Sequence, residues 1–99
     1  MNLNIKYEFR SKVWQHPAPG GWYFVSLPEA VSKEIRKQFK LQEQGWGRLK
    51  ITAQTGKSKW ATAIWFDTKR QTYLLPLKKE IRVREGINDS ETLKIIVHI

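Results

Sequence analysis

The feature that most constrains the fold is a repeated order of sequence patterns. The tetrapeptide KEIR occurs at residues 33–36 and again at residues 79–82, each time after a Leu-Pro pair. In both places the Leu-Pro pair follows a short apolar run, and KEIR falls in a stretch with apolar residues at helical spacing. Four common helix-forming residues can recur by chance, but their recurrence within two matching units indicates an internal duplication.

Alternating apolar residues predict strands around each helix. Apolar side chains occupy nearly every second position from Leu3 to Val13 and from Leu93 to Ile99. This period is typical of a strand with one buried face. Four further runs also predict strands, at residues 22–25, 49–54, 60–66 and 72–75.

Two helices are predicted directly after the Leu-Pro pairs. Pro28 suits the first turn of a helix, and apolar residues recur at four-residue spacing from there towards Gln42. Pro76 opens a shorter helix, which Gly86 ends. The predicted order is therefore strand, strand, helix, strand, and then the same again, in halves from residue 3 to 55 and from 59 to 99. This order indicates a mainly β protein.

Several segments give the chain a resemblance to the DUF1905 family. They are GGWYFVSLP (residues 20–28), IRKQF (35–39), GWGRLKITAQTG (45–56), WATAIWFDTKRQTYLLPLKKEIR (60–82) and EGI (85–87). Members of this family are small, mostly bacterial domains without an assigned biochemical function. The chain departs from the family pattern at residues 88–92, NDSET, where relatives commonly have Gly-Asp.

The second half also resembles the swapped-hairpin unit of AbrB-like and MazE-like proteins. In that superfamily, two such units interlock as a double-split β-barrel. The resemblance implies a double-split β-barrel of about six strands, built from two strand-strand-helix-strand halves and capped by two helices. We therefore expect a single domain over residues 1–99, which acts as a single-chain pseudo-dimer and is a monomer.

The composition is strongly basic and contains no cysteine. Eighteen Lys and Arg residues against nine Asp and Glu give a net charge of +9, which attracts polyanions such as nucleic acid. The alternative is a solvated basic surface, because the charges are scattered along the chain. The lack of cysteine excludes disulfides, thiol nucleophiles and Cys-ligated zinc.

No catalytic motif stands out in the sequence. No serine lies in a nucleophile elbow, no phosphate-binding loop motif occurs, and neither of the two histidines has a partner at ligand spacing. We therefore expect no enzyme activity, no metal and no cofactor, with an enzyme of unknown class as the third hypothesis. No apolar segment approaches the roughly 20 residues of a spanning helix, so we expect a cytoplasmic protein that does not enter the membrane.

The AbrB-like resemblance implies candidates for electrostatic binding of nucleic acid. Arg36 and Lys37 match a paired basic step in the first helix, and Arg82 matches it in the second. Lys69 and Arg70 supply charge in the second hairpin. The first hairpin is nearly uncharged, so recognition of palindromic DNA by a two-fold surface is not expected.

A pocket for a small ligand or peptide is the competing hypothesis. Trp22 follows two glycines and Trp46 lies between two, so these rings lie away from the middle of any strand. Together with Arg48 and Lys50, such rings can stack on a nucleotide, a single strand or a sugar. The pocket candidates are His16, Trp22, Trp46, Arg48 and Trp60. The alternative is that the tryptophans fill the core of a small barrel.

Overall fold

The structure is a mainly β closed barrel of six antiparallel strands with two helices. It is a computed structural model that describes residues 5–18 and 20–99 and, for Trp46, the backbone alone. The strands are β1 (Lys6–Gln15), β2 (Tyr23–Ser26), β3 (Arg48–Thr55), β4 (Ser58–Asp67), β5 (Thr72–Pro76) and β6 (Thr92–His98). The helices are α1 (Glu29–Phe39) and α2 (Lys79–Glu85), with 3-10 turns at Lys40–Gln42 and Gly45–Gly47. The predicted fold class is confirmed.

The strand order around the barrel is β1-β2-β5-β4-β3-β6, and it is unchanged when the two halves are exchanged. The two halves also pair alike. Val25 and Tyr73 each precede a Leu-Pro pair by two residues, and each pairs with the preceding strand of its own half, at Val13 and Phe66 respectively. The ladders β1–β6, β2–β5, β3–β4 and β3–β6 join strands of different halves, so neither half closes a barrel alone. Common ancestry of the halves stays a prediction.

The barrel interior follows from the period-two pattern. In β6, for example, Leu93, Ile95 and Val97 are buried, whereas Thr92 and Lys94 are exposed. Burial of one face removes apolar side chains from water and leaves the polar face solvated.

The predicted strand start at residue 3 lies outside the described residues. No helix in the described part of the chain is long and apolar enough to cross a membrane.

Helix α1 is joined to the barrel by apolar packing and one buried hydroxyl. Ile35 and Phe39 lie in the core cluster. Ser32 is fully buried, and its Oγ accepts a hydrogen bond from the backbone N–H of Tyr73 at 3.0 Å and donates one to the carbonyl of Leu27 at 3.4 Å. The serine therefore satisfies backbone groups of β5 and of the β2 end that water cannot reach.

Helix α2 begins later than the sequence predicts. Pro76 is the last residue of β5, and the backbone N–H of Leu77 donates to the carbonyl of Tyr23 at 2.9 Å. This pairing with β2 keeps the chain extended until Lys78, where helical hydrogen bonding begins with the N–H of Arg82. KEIR therefore opens α2, whereas in α1 it comes after the first turn.

The far end of α2 is fastened to the turn between β3 and β4. The Glu85 carboxylate accepts a hydrogen bond from Ser58 Oγ at 2.5 Å. Gly56 lies in this turn with φ +55°, and a Cβ there would stand 2.0 Å from Glu85 Oε1. The left-handed backbone favours glycine at this position, and a larger residue would also displace the Glu85 carboxylate from Ser58. Gly86 has a left-handed conformation and ends the helix, as predicted.

Candidate functional site

A cleft of about 790 Å³ opens between the loop before β2, the strands β3 and β4, and the start of α2. Five cations and three aromatic rings line this basic aromatic cleft: Arg48, Lys50, Lys78, Lys79 and Arg82, with Trp22, Tyr23 and Trp65. Its volume is within the range of roughly 300–1,000 Å³ that is usual for ligand sites. The cleft is therefore the strongest candidate site in the described part of the chain.

The β3–β4 side of the cleft follows from strand alternation and register. Arg48 and Lys50 are exposed, whereas Leu49 between them is buried. Across the ladder, Arg48 faces Trp65 and Lys50 faces Ala63. The Arg48 guanidinium carbon lies 5.9 Å from the centroid of the Trp65 ring. A cation, a ring and a small residue thus stand side by side, which leaves room above Ala63 for a ligand.

The loop side of the cleft positions Trp22. The backbone N–H of His16 donates to the Trp22 carbonyl at 2.9 Å, and that of Gly21 donates to the Ala18 carbonyl at 2.8 Å. The turn is so tight that a Cβ on Gly21 would stand 2.0 Å from the His16 carbonyl oxygen. Trp22 leaves this turn with its side chain 66% exposed, an unusual exposure for a large apolar ring.

Helix α2 closes the third side of the cleft with basic residues. The Arg82 guanidinium carbon lies 4.0 Å from the centroid of the Tyr23 ring, and its Nε donates to the Leu77 carbonyl at 3.3 Å. Stacking and hydrogen bonding hold this arginine in place. Lys78 and Lys79 are exposed at the helix start.

The charge of the cleft is not neutralised within the protein. Among the described residues, no carboxylate lines the cleft and none of its five cations forms an ion pair. Glu80 is next to Lys79 in sequence, but it pairs with Arg84 at 2.9 Å. Five positive charges around one concave surface produce a field that concentrates anions there.

The predicted nucleic-acid candidates lie in three places. Arg82 lines the basic aromatic cleft. Arg36 and Lys37 line a smaller cleft of about 460 Å³ along α1, where the Arg36 guanidinium carbon lies 3.7 Å from the centroid of the Phe66 ring. Lys69 and Arg70 lie in the turn between β4 and β5. The fold therefore does not bring the five candidates together in one cleft.

The predicted pocket residues are also divided. Trp22 and Arg48 line the basic aromatic cleft. Trp60 is half-buried and packs against the core cluster. This position agrees with the alternative in which the tryptophans fill the core of the barrel. His16 is exposed in the loop, where its Nδ1 accepts a backbone hydrogen bond at 3.2 Å, and it is not among the cleft residues. The side chain of Trp46 lies outside the described residues.

Among the charged and aromatic residues of the cleft, four did not emerge as candidates from the sequence: Tyr23, Trp65, Lys78 and Lys79. Lys78 and Lys79, the adjacent lysines where the second KEIR begins, were a usable signal, because lysines at a helix start are usually exposed to solvent. Trp65 had no such signal, since its place depends on the register with Arg48 across two strands.

Among the described titratable groups, the buried phenol of Tyr73 in β5 has the most strongly shifted pKa. Tyr73 is fully buried, and its hydroxyl donates a hydrogen bond to the Glu43 carboxylate. Burial, followed by this hydrogen bond, raises the pKa of Tyr73 well above its ordinary value. The phenol therefore keeps its proton and serves as a hydrogen-bond donor. In the described ranges, no group of three or more His, Asp or Glu residues is placed to hold a metal ion.

Comparison with known proteins places the chain in a family. No curated protein matches it. The family model described as a domain of unknown function, DUF1905, matches residues 9–97, which span nearly the whole chain and all three sides of the basic aromatic cleft. The chain belongs to the DUF1905 family.

Proposed function

We propose that this protein is a non-catalytic binding module for nucleic acid and that the basic aromatic cleft is its binding surface. The observation that carries the proposal is the set of five cations without acidic partners around three aromatic rings. Cations that neutralise phosphates release condensed counterions, which drives association. Aromatic rings stack on bases without regard to sequence, because every base has a π-face.

The two arginines of the cleft add geometric support. Arg48 and Arg82 each lie beside a ring, at 5.9 and 4.0 Å from its centroid. A guanidinium held against a ring loses less conformational freedom when it meets a phosphate than a free lysine does. The net charge of +9 assists the encounter through long-range attraction.

The test is binding of a fluorescently labelled oligothymidylate, followed by anisotropy at low salt. We expect the double variant Lys50→Glu/Lys79→Glu to lose at least about tenfold in affinity, because two phosphate contacts become repulsive. The matched control Lys6→Glu/Lys40→Glu reverses the same number of charges outside the cleft, at residues that, like Lys50 and Lys79, form no ion pair in the described part of the chain. It should lose distinctly less.

Two results would contradict the proposal. An equal loss in both double variants would show that only overall charge matters and that the cleft is not the site. Failure of the natural protein to bind both this oligonucleotide and a DNA duplex at low salt would exclude nucleic acid as the ligand. Circular dichroism of each variant checks that the barrel is intact.

A small anionic ligand with a planar ring system is the second candidate. The observation that favours it is the cleft volume of about 790 Å³ together with apolar lining from Pro76 and Leu77, since ligand pockets combine apolar walls with a few polar groups. A mononucleotide has this chemistry. Saturable quenching of tryptophan fluorescence by a mononucleotide, lost in Trp22→Ala, with no tighter binding of longer oligonucleotides, would favour this candidate over the first.

A further inference from the structure

We propose that the nucleic acid is single-stranded and that it leaves the cleft along a row of aromatic rings on β1 and β2. The row consists of Trp22, Phe24 and Trp14 and ends at Arg70, and it is termed the aromatic track. Trp22 also lines the basic aromatic cleft, so the two surfaces are continuous. This inference rests on the proposed function and specifies the form and path of the ligand.

The rings of the track have a regular spacing and similar orientation. The centroids of Trp22 and Phe24 lie 6.3 Å apart and their planes differ by 24°. Those of Phe24 and Trp14 lie 5.1 Å apart and differ by 33°. The guanidinium carbon of Arg70 lies 4.9 Å from the Trp14 centroid. Neighbouring rings are in contact with one another, so the three rings form one continuous aromatic row that begins at the exposed ring of Trp22 and ends under Arg70.

The register of β1 and β2 places these rings on the outside of the barrel. Trp14 and Phe24 are direct partners in the ladder, next to the pair Val13 and Val25, whose side chains are buried. Alternation therefore directs Trp14 and Phe24 away from the core, and both are half-buried. The Trp14 ring is held by a hydrogen bond from its Nε1 to Ser26 Oγ at 2.9 Å. The track is thus a preorganised outer surface.

Cations stand at both ends of the track, where phosphates would lie. The cleft supplies its five at one end, and the turn between β4 and β5 supplies Lys69 and Arg70 at the other. Arg70 pairs with Asp67 at 3.9 Å, and both side chains are partly exposed. An ion pair of this kind contributes little to stability, so Arg70 can turn from Asp67 to a phosphate.

The combination of rings and cations selects against a duplex. In a double helix the bases are stacked on one another and paired, so their faces are closed to protein side chains, whereas the bases of a single strand are open. Grooves that bind single strands combine a charged path with aromatic stacking platforms. A duplex would contact only the cations, and its paired bases would not stack on Trp14 or Phe24.

The experiment measures affinity for oligothymidylates of two lengths and for a duplex of the longer length. The short strand has about 4 nucleotides and the long strand about 16, which are the limits of the site sizes of single-strand-binding barrels. We expect Trp14→Leu to weaken binding of the long strand at least about fivefold, because base stacking on one ring contributes that much. We expect a similar loss at low salt for Arg70→Ala, because it removes a cation that neutralises a phosphate. Binding of the short strand, which the cleft accommodates, should be unchanged.

The controls separate this inference from the proposed function. Lys94→Ala removes one exposed cation away from the track and should leave long-strand binding unchanged. Duplex binding as tight as that of the long single strand would overturn the inference. Unchanged long-strand affinity in both track variants would also overturn it, while the cleft proposal would stand. Absence of binding by every oligonucleotide would refute both.

Discussion

Replacement of Lys50 and Lys79 by alanine should change the salt dependence of nucleic-acid binding by a calculable amount. Each phosphate of a single strand that is neutralised contributes about −0.7 to the slope of log affinity against log salt concentration. The five cations of the cleft therefore contribute about −3.5 in the natural protein and the remaining three about −2.1 in the double variant.

This difference is large enough to measure by fluorescence anisotropy. When the salt concentration rises fourfold, a slope of about −3.5 lowers affinity about 100-fold, whereas one of about −2.1 lowers it about 20-fold. The titration uses a labelled strand of about 16 nucleotides, the upper site size of single-strand-binding barrels, so that cations outside the cleft contribute equally to both proteins.

The control is the double variant Lys6→Ala/Lys94→Ala, which removes the same charge from β1 and β6. It should keep the slope of the natural protein. The reasoning is refuted by an unchanged slope in the Lys50/Lys79 variant or by an equal change in the control, since either result means that the cleft cations do not contact phosphates.

Three further predictions concern the frame that holds the cleft. Ser32→Ala leaves the buried N–H of Tyr73 without its partner, so urea denaturation should show a loss of about 1–3 kcal/mol in unfolding free energy; a loss below about 0.5 kcal/mol, typical of surface substitutions, would contradict this. Gly56→Ala should lower the melting temperature more than Gly20→Ala, because both have positive φ but only the first meets a neighbouring side chain within 4 Å; equal shifts would contradict this. Because the pKa of Tyr73 is raised from 10.0 in the fold, the unfolded phenol ionises first, so stability is retained below about pH 10 and falls as pH rises further. Tyr73→Phe should flatten this alkaline fall in urea titrations, and an unchanged fall would contradict the assignment.

The KEIR repeats show which structural features a local sequence pattern can predict. Both tetrapeptides lie in helices, as predicted, and both isoleucines are buried. Their arginines are predicted to bind nucleic acid, which stays a prediction, and each lies over a ring of the other half of the chain: Arg36 over Phe66 and Arg82 over Tyr23. Arg82 still lines the basic aromatic cleft, whereas Arg36 lines the smaller one. Such contacts between halves leave no periodic signal in the sequence.

The sequence by itself determined the strands, the helices and their repeated order. Whether Leu93 is buried and Lys94 exposed depends on the side chains themselves and on the period of the backbone, and both are local properties. Closure of the six strands into a barrel then followed from their number, order and resemblance to a known architecture.

Only the tertiary structure decided which charged and aromatic residues meet. Arg48 comes from β3, Lys79 from α2 and Trp22 from a loop, and they share one cleft because the barrel brings β4, β5 and β2 side by side. Register decides the rest, since a shift of one residue would turn Trp14 and Phe24 into the core. These positions depend on pairings between segments far apart in the chain, which the local periodicity of the sequence does not encode.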